Sequence, residues 1–268
     1  MNILEKIAER TKERVAAQKG IAPFARVRNE ARWLCGEKNF SFPFEKNLRG
    51  DDIAFICEIK KASPSKGVIA ADFPYVEIAR EYEAAGAAAI SVLTEPFWFH
   101  GSDGYLREIA GAVRVPLLRK DFTVDPYMIY EAKILGASAV LLICSILDKS
   151  ELAEYMAIAH DLGLSVLVET HDEGEVEDAL EIGARIIGVN NRCLKTFEVD
   201  ISLSERLKKL VPPEVIFVSE SGLSRAEDIE KLREIGADAA LIGESFMRSG
   251  DKIAAIAELR GRGGGRKV

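Results

Sequence analysis

Glu58 and Lys60 stand two residues apart in FICEIKKASPSKG (55–67), a stretch that opens as an apolar strand. A strand repeats every two residues, so the carboxylate and the ammonium share one face while Phe55, Cys57 and Ile59 share the other. Further along, Lys120 ends VPLLRK (115–120), Glu169 ends LSVLVE (164–169), and Asn190 ends RIIGVN (185–190) with Arg192 just beyond. Glu220 and Ser221 follow EVIFVS (214–219). Each polar side chain closes an apolar run and none opens one. Charges gathered in this way must be paired with one another, with water or with a charged ligand. Lys, Glu, Asn and Arg without a His or Cys cluster at the run ends argue against a transition-metal centre and against a Ser-His-Asp triad. His100 and His171 follow the second and fifth runs, and His160 sits in a helical stretch as a packing residue.

The elements that must position these side chains are eight short β-branched runs. They are FICEIK (55–60), AAISVL (88–93), VPLLRK, SAVLLI (138–143), LSVLVE, RIIGVN, EVIFVS and DAALIG (238–243). Segments such as DPYMIYEAKILG and RAEDIEKLREIG, with apolar residues at three- and four-residue spacing, separate them and read as helices. Near-continuously apolar strands alternating with helices indicate parallel strands covered by helices. A weak repeat (AAGAAAISV, LGASAVLLI, IGARIIGVN, IGADAALIG) marks helix-to-strand turns closed by glycine. Eight such units close a (β/α)8 TIM barrel, an α/β fold whose chemistry lies at the C-terminal ends of its strands. An open, doubly wound sheet is the alternative, although the first turn, KKASPSKG, lacks G-x-G-x-x-G.

Residues 1–268 are expected to form one barrel domain, with 1–50 as an N-terminal helical extension packed against it and 261–268 as a frayed tail. Ile3, Leu4, Ile7 and Val15 line one face of the opening helix, and FSFPFEKNLRG reads as an irregular linker. Net charge of −7 argues against broad nucleic-acid binding. Four scattered cysteines suggest reduced thiols in a cytoplasmic protein, and no run is long enough to cross a membrane. SESG (219–222) and IGES (242–245), after the seventh and eighth strands, place Gly222, Gly243 and Glu244 at the turns where barrels of this kind hold phosphate.

Several stretches together resemble the indole-3-glycerol phosphate synthase family. They are EIKKASPSKG, SVLTEPFWFHGS (91–102), LLRKDF (117–122) with DPYMIYEA, LVETH (167–171), GVNNRCLKTFEVD (188–200), SESG and LIGESFMR (241–248). The resemblance covers residues 45–255 and extends to the extra N-terminal helices. It implies ring closure of 1-(2-carboxyphenylamino)-1-deoxyribulose 5-phosphate with loss of CO₂ and water, without cofactor or metal. Lys120 is similar in position to the family's general acid and Glu169 to its base. Glu58 and Lys60 resemble a pair that orients substrate and serves the dehydration.

Asn190 and Arg192 match residues near the substrate's hydroxyls and carboxylate, and Glu220 and Ser221 match the floor and edge of the site. Leu93 and Phe99, with Leu141 and Leu194, resemble apolar contacts for the anthranilate ring. Ser63 and Lys66 lie on a loop expected to close over substrate. Trp98 and His100 sit where the family varies, and Phe246 replaces a more usual Leu. The partner is a phosphorylated small molecule, with no nucleic acid or membrane, and the chain is expected as a monomer or at most a weak homo-oligomer. Two other readings compete: a sugar-phosphate isomerase or aldolase using Lys120 as a Schiff-base nucleophile, and a catalytically silent binding barrel.

Overall fold

A computed structural model of the chain describes residues 2–36, 40–193 and 196–261. Eight parallel strands form a closed barrel. They are β1 Ala54–Ile59, β2 Ala89–Leu93, β3 Leu117–Lys120, β4 Ala139–Ile143, β5 Ser165–Thr170, β6 Ile186–Asn190, β7 Ile216–Glu220 and β8 Ala239–Ile242. β8 pairs back onto β1 (Ala54 opposite Ala239), and this closure removes the open-sheet alternative. Every expected run holds a strand, with ends shifted by a residue or two.

Alternation along each strand divides two apolar layers. Phe55, Cys57 and Ile59 belong to the outer layer beneath the helices, whereas Ala54 and Ile56 belong to the barrel interior. The same division puts Leu167 and Val218 inside and Val168 and Phe217 outside. The glycine turns of the repeat also hold: Gly136, between helix and β4, has φ +89, a conformation that costs a side-chain-bearing residue energy.

The N-terminal extension contains three helices, α1 Ile3–Ile21, α2 Phe24–Leu34 and α3 Pro43–Leu48. The third corrects the linker reading of FSFPFEKNLRG. Pro43 starts the helix, where its missing N–H costs nothing. Phe44 and Leu48 are fully buried in the barrel interior with Ala54, Ala88 and Ala239, so α3 plugs the N-terminal end of the barrel. Asn47 Nδ2 fastens it by donating to the Ala88 carbonyl at 3.0 Å.

At the opposite end α1 lies across the mouth. Its first turn is closed by a reciprocal cap: Asn2 Oδ1 accepts from Glu5 N–H and Glu5 Oε2 accepts from Asn2 N–H, both at 2.9 Å. Arg14 Nη2 grips both oxygens of buried Asp121 at 2.9 Å, and Lys19 pairs with Asp125 at 2.6 Å. Among the described residues no helix is long and apolar enough to cross a membrane. The expected tail falls outside the described residues from 262 onward.

Candidate active site

A cavity of about 430 Å³ opens at the C-terminal ends of the strands. Inward alternation carries Glu58, Lys120, Glu169, Asn190 and Glu220 into it, the last inward-facing side chains on β1, β3, β5, β6 and β7, with Lys60 just past β1. Ser63, Leu93, Phe99, Leu141, Arg192, Ser221, Gly222, Gly243 and Glu244 also line it, so the residues expected from sequence converge on one space. Leu194 lies outside the described residues. His100 is exposed and away from the cavity wall, and His160 packs edge-on against Phe42. Phe246 sits in the outer layer against Phe55 and Tyr82, so the replacement alters packing behind β1.

Lys120 is the hub. Its Nζ donates to Glu169 Oε2 at 2.9 Å and lies 3.4 Å from Glu220 Oε2. Burial disfavours the ammonium, but the charges of Glu169, Glu220 and Glu58 hold its pKa well above the ordinary lysine range. Two glutamates sharing one cation are driven apart. Burial works against a charged Glu169, yet Lys120 and then His171 hold its carboxyl down at about 2. Asn190 Nδ2 adds a donor on Oε1 at 3.2 Å. Burial pushes the Glu220 carboxyl up to about 7, with only partial relief from Lys120 and added repulsion from Glu169 and Glu58. One carboxylate is thereby kept ionised while its neighbour holds a proton near neutral pH. Glu58 and Lys60 form a direct ion pair beside them.

Two glycines make room for these acids. A Cβ on Gly188 would lie 2.3 Å from Glu220 Oε1, and one on Gly243 would lie 2.2 Å from Glu58 Oε1. After β7 the chain turns through consecutive left-handed residues, Ser221 at φ +68 and Gly222 at φ +81. Asn191 Nδ2 holds that turn by donating to the Ser221 carbonyl at 3.2 Å and to Ser219 Oγ at 3.0 Å.

The stretch SPSKG is more ordered than a loop. Ala62–Ser63 and Gly67–Val68 pair as a short antiparallel hairpin whose turn brings Pro64 and Ser65 to the cavity rim. Ala62 N–H donates to the Phe99 carbonyl at 3.2 Å, and Lys66 Nζ stands 3.8 Å from Glu244 on the far side.

Several contributors escaped the sequence reading. Ile3, Leu4 and Ile7 of α1, with Phe122 and Ile143, complete an apolar wall next to Leu93, Phe99 and Leu141. The helical spacing showed that a face of α1 is buried but not what it faces. Buried Glu95 accepts the backbone N–H groups of Phe97, Trp98 and Phe99 at 2.9, 2.7 and 3.0 Å and so sets the loop that presents Phe99. Arg119, pointing outward beside Lys120, bonds Asp103 and Glu131 at 2.7 Å each and anchors β3 to its covering helices. Asp121 could have been suspected from LLRKDF, but its partner Arg14 is more than a hundred residues away in the chain.

A closed (β/α)8 barrel whose mouth holds an ammonium between carboxylates, an apolar wall and two glycine turns defines a barrel enzyme of the acid–base type. Among solved structures, the chain is similar in fold to thiamine phosphate pyrophosphorylase from Pyrococcus furiosus at a TM-score of 0.59 and 17% identity, covering 81% of this chain and 95% of that one. A 3-hexulose-6-phosphate synthase superposes at a TM-score of 0.61 and 17% identity, covering 78% and 98%. These likenesses concern the fold alone.

The sequence profile described as Indole-3-glycerol phosphate synthase matches residues 4–259, and the chain belongs to that family. It is 59% identical to the indole-3-glycerol phosphate synthase of Ruminiclostridium cellulolyticum over 97% of this chain and 99% of the relative. Identity to the synthase of Endomicrobium trichonymphae is 52% over 96% and 99%.

Proposed function

We propose that Lys120 and Glu169 carry the proton transfers of indole-3-glycerol phosphate synthesis. The chain is a decarboxylating lyase of this family: it closes 1-(2-carboxyphenylamino)-1-deoxyribulose 5-phosphate to an indole ring with loss of CO₂ and water. The observation that carries the residue roles is the hub, Lys120 Nζ at 2.9 Å from Glu169 and 3.4 Å from Glu220 inside the apolar-walled mouth.

The C2 ketone must gain a proton as the aromatic carbon attacks it. Lys120 is the acid for that step, since its carboxylate neighbours keep it protonated. The same property disfavours the Schiff-base reading, in which Lys120 would have to attack as a neutral amine. After CO₂ leaves, the new hydroxyl departs and the aniline nitrogen loses its proton. Glu169, held ionised, is the base for that loss, and the Glu58–Lys60 pair orients the chain and serves the departing hydroxyl.

Asn190 aligns Glu169, and Arg192 takes the substrate carboxylate with its two-pronged guanidinium. Ile3, Leu4, Ile7, Leu93, Phe99 and Leu141 accept the anthranilate ring. The phosphate lies at Ser221, Gly222, Gly243 and Glu244, with Ser63 from the hairpin. We place the protein in a reducing cytoplasm, a reading supported by the free thiols Cys35, Cys57 and Cys144, and expect it to act as a monomer.

The test is direct: purified protein and the carboxyphenylamino sugar phosphate should yield indole fluorescence. Borohydride treatment should leave Lys120 unmodified; a trapped adduct on Lys120 would remove the general-acid role.

A further inference from the structure

Glu169 and Lys120 are paired at 2.9 Å, and an acid and a base bonded to each other serve no substrate. When a ketone oxygen takes the Lys120 proton donor, Glu169 loses its nearest cation while it stays 3% exposed. A carboxylate that deep without a positive neighbour takes up a proton and stops being a base. What remains beside Glu169 Oε1 is the Asn190 amide at 3.2 Å and His171 Nε2 at 3.5 Å.

His171 is held for that position from behind. It follows Glu169 by two residues, and Thr170 between them points outward, its Oγ1 donating to the Gly188 carbonyl at 3.1 Å. Glu175, in the first turn of the helix Glu173–Glu181, accepts the His171 backbone N–H at 2.7 Å and lies 3.2 Å from Nδ1. Ser145 Oγ, from the turn after β4, stands 3.2 Å from the same nitrogen. The two ring nitrogens thus face one carboxylate each, and only a doubly protonated imidazole carries an N–H for both. Nε2 is buried with no closer partner than Glu169.

We propose that His171 is a positioning residue for Glu169: its imidazolium spans Glu175 and Glu169 and keeps Glu169 charged and aimed at the mouth once substrate engages Lys120. The inference rests on Glu169 being the base. The charges facing the ring are Glu169 near the end of β5, Glu175 on the helix Glu173–Glu181 and Glu220 on β7; burial opposes the charged ring, but these three raise its pKa above the ordinary histidine value.

The experiment compares His171→Gln and His171→Ala with the unmodified enzyme. In both, kcat should fall about ten- to a hundredfold with KM within about threefold, because the group acts through the base and not through binding. The acid limb of the kcat profile should move up by about one pH unit, since glutamine returns a hydrogen bond without a charge. The chain has only three histidines, so ¹⁵N-histidine NMR offers a readout free of turnover. One ring should titrate above the ordinary histidine value, and that signal should vanish in His171→Gln. A kcat within twofold and an unmoved acid limb in His171→Gln, or the absence of a ring titrating above the ordinary histidine value, overturns the proposal. Glu169→Gln is run in parallel: if it keeps wild-type turnover the base assignment itself falls, whereas an inactive Glu169→Gln beside a normal His171→Gln removes only this inference.

Discussion

The two ends of one barrel are built from the same strands and do opposite things. At the N-terminal end, Ala54, Ala139, Ile186, Ile216 and Ala239 face inward around Phe44 and Leu48 of α3, and all of these side chains are buried. Four residues later β1, β6 and β7 present Glu58, Asn190 and Glu220 to a cavity, where Lys120 of β3 and Glu169 of β5 join them. The closed end gains stability by removing apolar surface from water. The open end holds charges whose desolvation only a partner repays. Stability and chemistry are therefore separable along each strand, and substitutions at the two ends should be distinguishable in the laboratory.

The largest effect is expected at the open end. Lys120→Ala or Glu169→Gln should lower kcat/KM by about 10² to 10⁴ or more, the usual worth of a placed acid or base. Thermal unfolding should move by no more than a few degrees. Loss of activity in step with loss of melting temperature would contradict the separation, as would near-native turnover in either variant.

The converse substitution is Phe44→Ala. Phe44 is fully buried among the first inward residues of the strands, so the cavity left behind should cost about 3 to 5 kcal/mol. For a chain of this size that lowers the melting temperature by roughly 10 °C. Assayed well below the new midpoint, kcat should stay within about twofold or threefold of the parent. A large drop in kcat at such temperatures would mean that the plug communicates with the mouth.

How much of this contrast could be read from the chain follows from what each signal encodes. The strands were legible because their apolar runs are short, β-branched and closed by a polar residue, so Lys120, Glu169 and Glu220 identified their own ends. Helix α3 was not legible: six residues with two Phe-Pro or Pro-Phe junctions show no periodicity, and burial of Phe44 and Leu48, not propensity, makes the helix. Nor was the wall formed by Ile3, Leu4 and Ile7, since an amphipathic pattern states that a face is covered without saying by what. The tie that sets it, Arg14 to Asp121, joins residues 107 apart. The hairpin in SPSKG has strands of two residues, below the length at which alternation can be detected.

Acidity gives a smaller and more specific test of the open end. Below about pH 4.5, the ordinary glutamate value, Glu220 is protonated in both folded and unfolded chains and has no influence. As pH rises toward 7 the unfolded chain releases that proton and the folded chain keeps it, so folding is disfavoured progressively, and above 7 the penalty is constant. Glu220→Gln removes the effect. Its melting temperature should gain on that of the parent by a few °C between pH 5 and 8, whereas the Phe44→Ala difference should stay flat over the same range. A Glu220→Gln difference that does not change with pH would show that the carboxyl ionises normally in the fold.

The smallest expected change is one methyl group. Gly243 has φ −127 and ψ −67, outside the left-handed region that favours glycine, so the outcome of Gly243→Ala turns on the space around its Cβ. Its new Cβ would come within 2.2 Å of Glu58 Oε1 and 3.0 Å of Glu58 Cδ. The two nearest atoms belong to the end of the Glu58 side chain, which yields by rotating, and Glu58 Cβ at 3.1 Å leaves a tight contact relieved by a shift of a few tenths of an ångström. What is lost is the alignment of Glu58 with Lys60, the pair that orients substrate and serves dehydration. We expect kcat to fall roughly fivefold with the melting temperature within about 2 °C, since a displaced group of about 1 kcal/mol in the transition state leaves folding untouched. A rise in KM alone would place the added methyl against the phosphate and leave Glu58 undisturbed. A comparable loss of stability would show that the open end of the barrel is packed as tightly as the closed one.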